Sequence, residues 1–222
     1  MDNLITVIYF WEVQGFGAAR AFTRMALDRA ALRKDPAISF FKLLGTGKGE
    51  TFTPKDANPR RWGLLVTLRE EDLENFDHGT VTNSWRKFAV SEYRAVLKPI
   101  SSHGAWSMRE PFIVEQFAWD GPIAAITRAR IKWRFNRTFW RAVPSVTSSL
   151  HSSPGLRHAI GIGEAPIGLQ GTFSIWNSAS DLRNFAYKGA AHTAAIQQTE
   201  KLGWYAEELF ARFAIIEESG SL

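Results

Sequence analysis

The sequence predicts an α+β fold in which two ferredoxin-like halves lie in tandem and form a barrel of the dimeric α/β type. The segments FFKLLGTGKGETFTPKDANPRRWGLLVTLREEDLENF and LRHAIGIGEAPIGLQGTFSIWNSASDLRNF share one order: strand, Gly-x-Gly, loop, strand, then Asp-Leu-x-Asn-Phe. A strand and a helix precede each Gly-x-Gly, and a helix and a last strand follow each Asp-Leu-x-Asn-Phe. Each half therefore has the order β-α-β-β-α-β of the ferredoxin-like split.

The elements of the first half, residues 1–100, follow from residue types. Leu4 to Val13 is rich in β-branched and aromatic residues and predicts a strand. Ala18 to Arg33 is rich in Ala, Leu, Met and Arg and predicts a helix. The motif Asp72 to Phe76 then precedes more helix and a last strand near Tyr93 to Ile100.

The second half, residues 122–222, repeats this order. Pro122 to Trp133 predicts a strand and Asn136 to His151 a helix. The motif returns at Asp181 to Phe185, and a last strand follows near Glu208 to Ile216. A ferredoxin-like sheet carries both helices on one face, so two copies can bury their bare faces against each other in one barrel.

Composition limits the chemistry that this chain can perform. It contains no cysteine, which excludes disulfides, zinc–thiolate sites, chain-held iron–sulfur clusters and a Cys nucleophile. Sixteen Phe and nine Trp can fill a core or wall a flat apolar ligand. The Gly-x-Gly pairs do not run directly into helices, so strand ends or bulges explain them better than a nucleotide site.

Charge and the N-terminal residues bear on partners and location. The net charge of +5 favours an anionic partner, but the cations are dispersed among acids and no nucleic-acid motif accompanies them, so we expect no nucleic acid. The N-terminus MDNLITVIYFW lacks the features of a signal peptide, and no apolar run approaches about 18 residues. We expect a cytoplasmic protein.

Two arginines mark the strand of residues 122–133. Ile123, Ala125 and their alternates are small or apolar, whereas the other face turns basic at Arg128 and Arg130. If that face looks into the barrel, Arg128 lies at the edge of an internal cavity. The alternative is that both arginines extend to solvent from an edge.

His192 is the candidate metal ligand. On the helix predicted from about Ala190 to Leu202 it shares a stripe with Ala195, Ile196 and Thr199, so it points inward. The first turn of a helix favours neutral imidazole, which is the form that a metal needs. Because no second ligand accompanies His192, a hydrogen-bonded core histidine remains the alternative. Haem is the exception, since it is the metal group that a single protein side chain can hold.

A family resemblance emerges from six separated segments. In chain order these are FFKLLGTGKGETFTP, HGAWSMREPF, PIAAITRARI, FWRAVP, IGIGEAPIGLQGTFSIW and HTAAIQQTEKLGWYAEELFARF, and together they resemble the spheroidene monooxygenase family of bacterial carotenoid biosynthesis. The similarity spans nearly the whole chain and is stronger in the second half.

The resemblance implies a haem b cofactor and oxidation of the C-2 methylene of acyclic carotenoids to a ketone, with molecular oxygen and electrons from a reduced ferredoxin-type donor. Related dimeric α/β-barrel haem proteins hold iron through a histidine on the helix before the last strand of a half, which is the place of His192. The second half is thus the expected haem-binding half. The first-half helix before Tyr93 has no equivalent histidine, so a second haem is not expected.

A haem oxygenase must supply polar partners for the haem and its oxygen and an apolar slot for the polyene, and this requirement suggests the remaining site residues. Arg128 and His103 would act in catalysis, and Arg128 and Arg130 would be polar partners of the haem. The connecting segment, residues 101–121, would wrap the joint between the halves. The expected walls of the substrate pocket are Trp106, Phe112 and Phe173.

Three alternatives to this function remain open: another His-ligated haem enzyme on the same barrel, such as a peroxidase or an aldoxime dehydratase; a non-catalytic barrel that binds a small molecule; and a cofactor-free oxygenase. Because a lipophilic substrate must leave a bilayer, we also expect peripheral contact with the inner membrane, which the positive charge would assist.

Overall fold

A computed structural model of the protein describes residues 3–47, 56–132, 147–164, 171–188 and 205–222. It contains eight strands: β1 (Leu4–Val13), β2 (Ile38–Gly47), β3 (Ala57–Arg69), β4 (Ala89–Gly104), β5 (Ile123–Ile131), β6 (Leu156–Gly163), β7 (Gly171–Trp176) and β8 (Tyr205–Gly220). The helices are α1 (Gly17–Lys34), α2 (Leu73–Asp77), α3 (Thr80–Arg86), α4 (residues 147–151) and α5 (Ala179–Lys188). The mixed α+β class is confirmed.

All eight strands are antiparallel to their neighbours, in the order β1-β3-β2-β6-β7-β5-β8-β4, and β4 pairs back with β1. The strands of the first half are ordered β4-β1-β3-β2, and those of the second half follow the same order as β8-β5-β7-β6. That is the strand order expected of a ferredoxin-like sheet with the predicted connections. The halves join through β2 with β6 and through β4 with β8.

The two Gly-x-Gly motifs pair with each other. Gly45 lies opposite Gly163, and Gly47 lies opposite Gly161. Each motif ends its strand, as the sequence predicts. This pairing defines an approximate twofold axis, so each position on one sheet has an equivalent on the other.

The interior of the barrel is filled by an apolar cluster. Two of its members, Trp106 and Phe112, reach in from the connecting segment, and the Phe112 ring lies 4.8 Å from that of Phe213. Eight strands enclose a space that side chains can just fill. Among the described residues the interior is therefore packed, and the prediction of an internal cavity is wrong. The cluster also includes Ile8, Phe10, Phe40, Leu44, Leu65, Tyr93, Ala95, Leu97, Ala124, Ile126, Ile160, Ile162, Phe173, Ile175, Leu209, Ala211 and Ile215.

A second apolar layer lies between the outer face of the first-half sheet and its helices. The rings of Tyr9 and Trp11 stack at 5.2 Å, and Trp85 of α3 stacks on Trp11 at 5.0 Å. Ala21 and Leu32 of α1 complete the layer from above. Large rings thus fill this side of the molecule.

Two strands extend beyond their predicted limits. β4 runs to Gly104, so residues 101–104 are strand rather than connecting segment, and β8 spans Tyr205–Gly220 rather than 208–216. The reason is their mutual pairing, which continues from Tyr93 opposite Gly220 to Gly104 opposite Leu209. Such pairing between the halves leaves no local sequence signal. The division into separate domains stays a prediction.

Candidate functional site

The outer face of the second-half sheet carries small side chains. Directly opposite residues in an antiparallel sheet point to the same face. One row across β8, β5, β7 and β6 reads Arg212, Ala125, Ser174, Ala159, and the next row reads Phe210, Thr127, Thr172, Gly161. We call the small members of these rows the shelf: Ala125, Thr127, Ala159, Gly161, Thr172 and Ser174.

The equivalent rows of the first half carry large side chains. Taking Gly45 as the counterpart of Gly161, these rows read Arg94, Tyr9, Leu64, Leu43 and Glu92, Trp11, Trp62, Gly45. Two indoles, a phenol and two leucines are thus replaced by Thr, Ala and Ser in the second half. At these equivalent positions the second-half sheet therefore carries less side-chain volume. Ala125, at one end of the shelf, packs in an apolar cluster with Leu150, Trp176 and Leu182.

The arginine at the end of the first row is retained in both halves, but its partners are not. Arg94 donates to both carboxylate oxygens of Asp77, with Nε–Oδ1 at 3.0 Å and Nη2–Oδ2 at 2.5 Å, and Tyr9 donates to the same carboxylate. Arg212 is half-buried, and no carboxylate pairs with it among the residues that the structure describes. The repeat explains this, because Asp77 follows Asp-Leu-x-Asn-Phe where Ala186 follows it in the second half.

Two further side chains border the shelf. Thr127 is exposed, and Phe210 beside it is 40% exposed, whereas the first-half equivalent of Thr127, Trp11, is fully buried. His103 lies opposite Phe210 on β4 and is exposed. A flat group lying on the shelf would therefore contact small side chains below it and a cation and an imidazole at its edge.

Charged groups at one end of the barrel interior form a separate ion cluster: Lys42, Arg128, Glu164 and Glu207. Arg128 is buried on the interior face of β5, where its Nη2 lies 3.0 Å from Glu164 Oε1 and its Nη1 donates to Glu207. Lys42 Nζ lies 2.7 Å from Glu164 Oε2. The alternative in which Arg128 extends to solvent is wrong, because two carboxylates neutralise it inside.

Trp106 links the ion cluster to the connecting segment. Its Nε1 donates to Glu164 Oε1 at 2.6 Å, and the Arg128 guanidinium lies 5.4 Å from its ring centre. Five of the six family-like segments therefore converge here, since they supply Lys42, Trp106, Arg128, Glu164 and Glu207.

Both carboxylates of the ion cluster are held in the ionised form. Burial alone would raise the pKa of Glu164, but hydrogen bonds from Lys42 and Trp106 outweigh it and the net pKa is lowered. Burial likewise opposes ionisation of Glu207, and the Met108 N–H, the Arg128 guanidinium and the Ser107 N–H together lower its pKa.

Glu207 also fixes a strained turn of the connecting segment. Ser107 and Met108 both adopt positive φ, 56° and 60°, which costs free energy for residues with a side chain. Their amides donate to Glu207, at 3.1 Å to Oε1 and 2.6 Å to Oε2. The carboxylate thereby holds Trp106 in the interior.

The structure separates the residues that the sequence assigns to one site. Arg128 lies on the interior face of β5 and His103 on the outer face of β4, so the structure does not bring the two together. Arg130 is exposed, whereas Trp106, Phe112 and Phe173 are buried in the barrel interior. His192 lies outside the described residues. The roles assigned to all seven stay predictions.

Sequence reasoning missed Arg212, Glu164 and Glu207. The repeat shows that Ala186 replaces Asp77 after the second Asp-Leu-x-Asn-Phe, but only the structure shows that Asp77 is the partner of Arg94. Within the part of the chain described here, no group of three or more His, Asp or Glu side chains could hold a metal ion. A protein metal site of the multi-ligand kind is thus absent from these residues, and no helix among them is long and apolar enough to cross a membrane.

The fold defines a class of protein. The chain superposes on a crystal structure of aldoxime dehydratase with a TM-score of 0.60, at 9% identity, covering 98% of this chain and 83% of that chain. A crystal structure of the aldoxime dehydratase OxdRE in complex with butyraldoxime gives a TM-score of 0.56 at 13% identity, covering 96% and 80% of the two chains. The protein therefore has the same α+β fold as these proteins, with a shelf in its second half.

Sequence relatives then identify the family. The chain is 37% identical over 204 residues to spheroidene monooxygenase of Rhodobacter capsulatus, covering 90% of this chain and 84% of that protein. It is 34% identical over 202 residues to that of Cereibacter sphaeroides, of which it covers 62%, and 29% identical over 219 residues to that of Rubrivivax gelatinosus. No protein-family model matches the chain. The chain belongs to the spheroidene monooxygenase family.

Proposed function

We propose that this protein is a haem-dependent monooxygenase that converts the C-2 methylene of an acyclic carotenoid such as spheroidene into a keto group. Family membership supports the reaction class and the substrate. The observation that carries the cofactor is the shelf, where equivalent backbone positions have lost their large side chains and kept one arginine.

The described residues fit a haem on this outer face. Thr127 is exposed and Thr172 is half-buried, and their small side chains leave room for the close contact that a planar macrocycle needs. Arg212, which pairs with no carboxylate among the described residues, supplies the cation that a propionate would neutralise. His192, predicted on the helix before β8, is the proposed iron ligand. The first half offers no such site because Trp11, Trp62 and Trp85 occupy the equivalent space.

Haem, when bound and reduced, supplies the activation of molecular oxygen that no amino-acid side chain provides. The protein must then orient the methylene, keep bulk water away and deliver protons. His103 and Arg212 border the shelf, and they are our candidates for proton delivery and for holding an anionic group. Arg128 is fully engaged by two carboxylates on the other side of the strand, which favours Arg212 as the haem partner.

The overall conversion replaces two hydrogens on one carbon by one doubly bonded oxygen. It proceeds as two successive insertions, each consuming one O2, two electrons and two protons and releasing one water, and the resulting gem-diol loses a further water. A ferredoxin-type protein is the proposed electron donor. The surplus of cations on this chain suits an acidic redox partner.

Haem-supplied expression followed by absorption spectroscopy tests the cofactor. We expect a Soret band that is lost or shifted in His192→Ala and retained in His78→Ala, a matched change at an exposed first-half histidine. An unchanged Soret band in His192→Ala would refute the proposal that His192 is the iron ligand.

Incubation of the haem-loaded protein with spheroidene, reduced ferredoxin and oxygen tests the reaction. We expect a product heavier by one oxygen and lighter by two hydrogens, with label from 18O2. Turnover of an aldoxime but not of the carotenoid would show that the chain performs a different haem reaction on the same fold.

A further inference from the structure

We propose that the exposed face of α1 docks on an anionic lipid bilayer. We call the outward half of this helix the α1 face. It has Ala19, Ala26 and Ala30 along its middle, and larger side chains border it on both flanks: Phe16, Arg20, Phe22, Leu27, Arg29, Arg33 and Lys34. The proposal rests on α1 alone and is independent of the cofactor and the reaction.

The orientation of α1 is set by its buried side. Gly17, Ala21, Asp28 and Leu32 are buried against the first-half sheet and α3, and they fall on one stripe at 3.6 residues per turn. The rest of the helix circumference therefore faces outward. Small exposed side chains occupy its middle, at Ala19, Ala26 and Ala30, so the backbone can approach a flat surface closely.

Large apolar side chains project from this outward face. Phe16, at the turn that begins α1, is 92% exposed, Phe22 is 59% exposed and Leu27 is 58% exposed. Folding has left these side chains in water although α1 has a buried side available. Phenyl rings and leucine are typical of helices that insert shallowly at a membrane interface.

The charges on the same face have one sign. Arg20, Arg29, Arg33 and Lys34 are exposed, and none of them forms an ion pair among the residues that the structure describes. Asp28, the single acid of α1, is buried and paired with Arg24, and Asp35 beyond its end is half-buried. Each cation near an anionic lipid surface adds to binding, so four on one helix favour such a surface.

The positive charge of the α1 face also distinguishes among three possible binding partners: a second copy of the chain, a nucleic acid and a lipid bilayer. A second copy docked through the same face would bring four uncompensated cations against four others, which is unfavourable. A nucleic acid would match the charge, but it offers no apolar phase for Phe16 and Phe22. A bilayer with anionic headgroups satisfies both properties.

Sedimentation with vesicles of phosphatidylglycerol and phosphatidylcholine tests the proposal on the full-length protein. We expect binding at low salt that falls as salt rises, and a partition coefficient lowered by about tenfold or more in Arg29→Glu/Arg33→Glu. Arg60→Glu/Arg109→Glu is the control, because it makes the same change in net charge at exposed positions off α1. Phe16→Ser/Phe22→Ser should weaken binding without changing net charge.

Equal losses in the two charge variants, or no loss in the Phe variant, would overturn the proposal in favour of unspecific adsorption. A concentration-dependent dimer in light scattering that is lost in the Phe variant would overturn it in favour of a second copy. Circular dichroism confirms that each variant is folded. The haem spectrum is recorded in parallel, so a failure of lipid binding and a failure of the proposed cofactor are told apart.

Discussion

Arg94 on β4 and Arg212 on β8 occupy equivalent positions in the two halves, and of the two only Arg94 has a carboxylate partner among the described residues. In the first half, Asp77 and Tyr9 complete a buried network around the guanidinium. In the second half, Ala186 and Ala125 stand at the corresponding places. Among the described residues the second half thus has the equivalent arginine but lacks the acid and the phenol that hold it in the first half.

Replacing these two arginines separates a structural role from a binding role. Arg94→Gln should lower the free energy of unfolding by about 3 kcal/mol, because it removes the nearer of the two cations beside the half-buried Asp77 carboxylate and leaves only Arg86, 4.0 Å away. Arg212→Gln should leave the melting temperature nearly unchanged and reduce the haem content of the purified protein. Differential scanning calorimetry and the Soret-to-protein absorbance ratio measure the two effects. A similar loss of stability in both variants would show that Arg212 also has a stabilising partner in the folded protein.

Refilling the shelf tests its use directly. Thr127→Trp restores the residue that the first half has at this position, Trp11, and should block a flat ligand while the chain still folds, since Thr127 is exposed. The control is Thr127→Val, which keeps the size of the side chain. We expect haem binding to be lost in the first variant and kept in the second. Full haem binding by Thr127→Trp would show that the haem does not bind on the shelf.

The ion cluster should make the protein sensitive to acid. The folded-state pKa values of Glu164 and Glu207 are lowered, so their stabilising contribution is present above the ordinary Glu pKa of about 4.3 and is lost as pH falls below it. Glu207→Gln should be less stable at neutral pH and should lose less additional stability on acidification. Urea unfolding between about pH 7 and pH 3 measures this. The exposed Glu110→Gln serves as control and should follow the parent protein.

Gly104 allows β4 to pass close to β8. It has a φ of +88°, a Cβ there would collide with the carbonyl oxygen of Glu208, and Ala105 N donates to that oxygen at 2.7 Å. Gly104→Ala should therefore cost more than the ~1 kcal/mol of a left-handed alanine and should shift the fluorescence of Trp106. Gly15→Ala is the control, because Gly15 has a φ of +54° but an added Cβ would meet nothing within 4 Å. Equal losses of stability in Gly104→Ala and Gly15→Ala would show that the left-handed backbone, and not the collision with Glu208, sets the cost.

Several features were open to prediction because they leave local signals. The limits of β1 were predicted to the residue, and α1 differs from its prediction by one residue at each end. Apolar alternation and helix propensity depend on residues that are close together in the chain, so a single sequence reveals both. The Gly-x-Gly motifs likewise gave the strand ends, although not their mutual pairing.

The sequence by itself determined the element order, the duplication and the family, because each depends on residue types along the chain. The tertiary structure decided which face each side chain occupies. A strand presents two faces that differ by one residue, so Arg128 and its neighbour Thr127 lie on opposite sides of the sheet and belong to different sites. That no described carboxylate pairs with Arg212 is likewise a property of the space around it, and only the assembly of eight strands and their helices fixes that space.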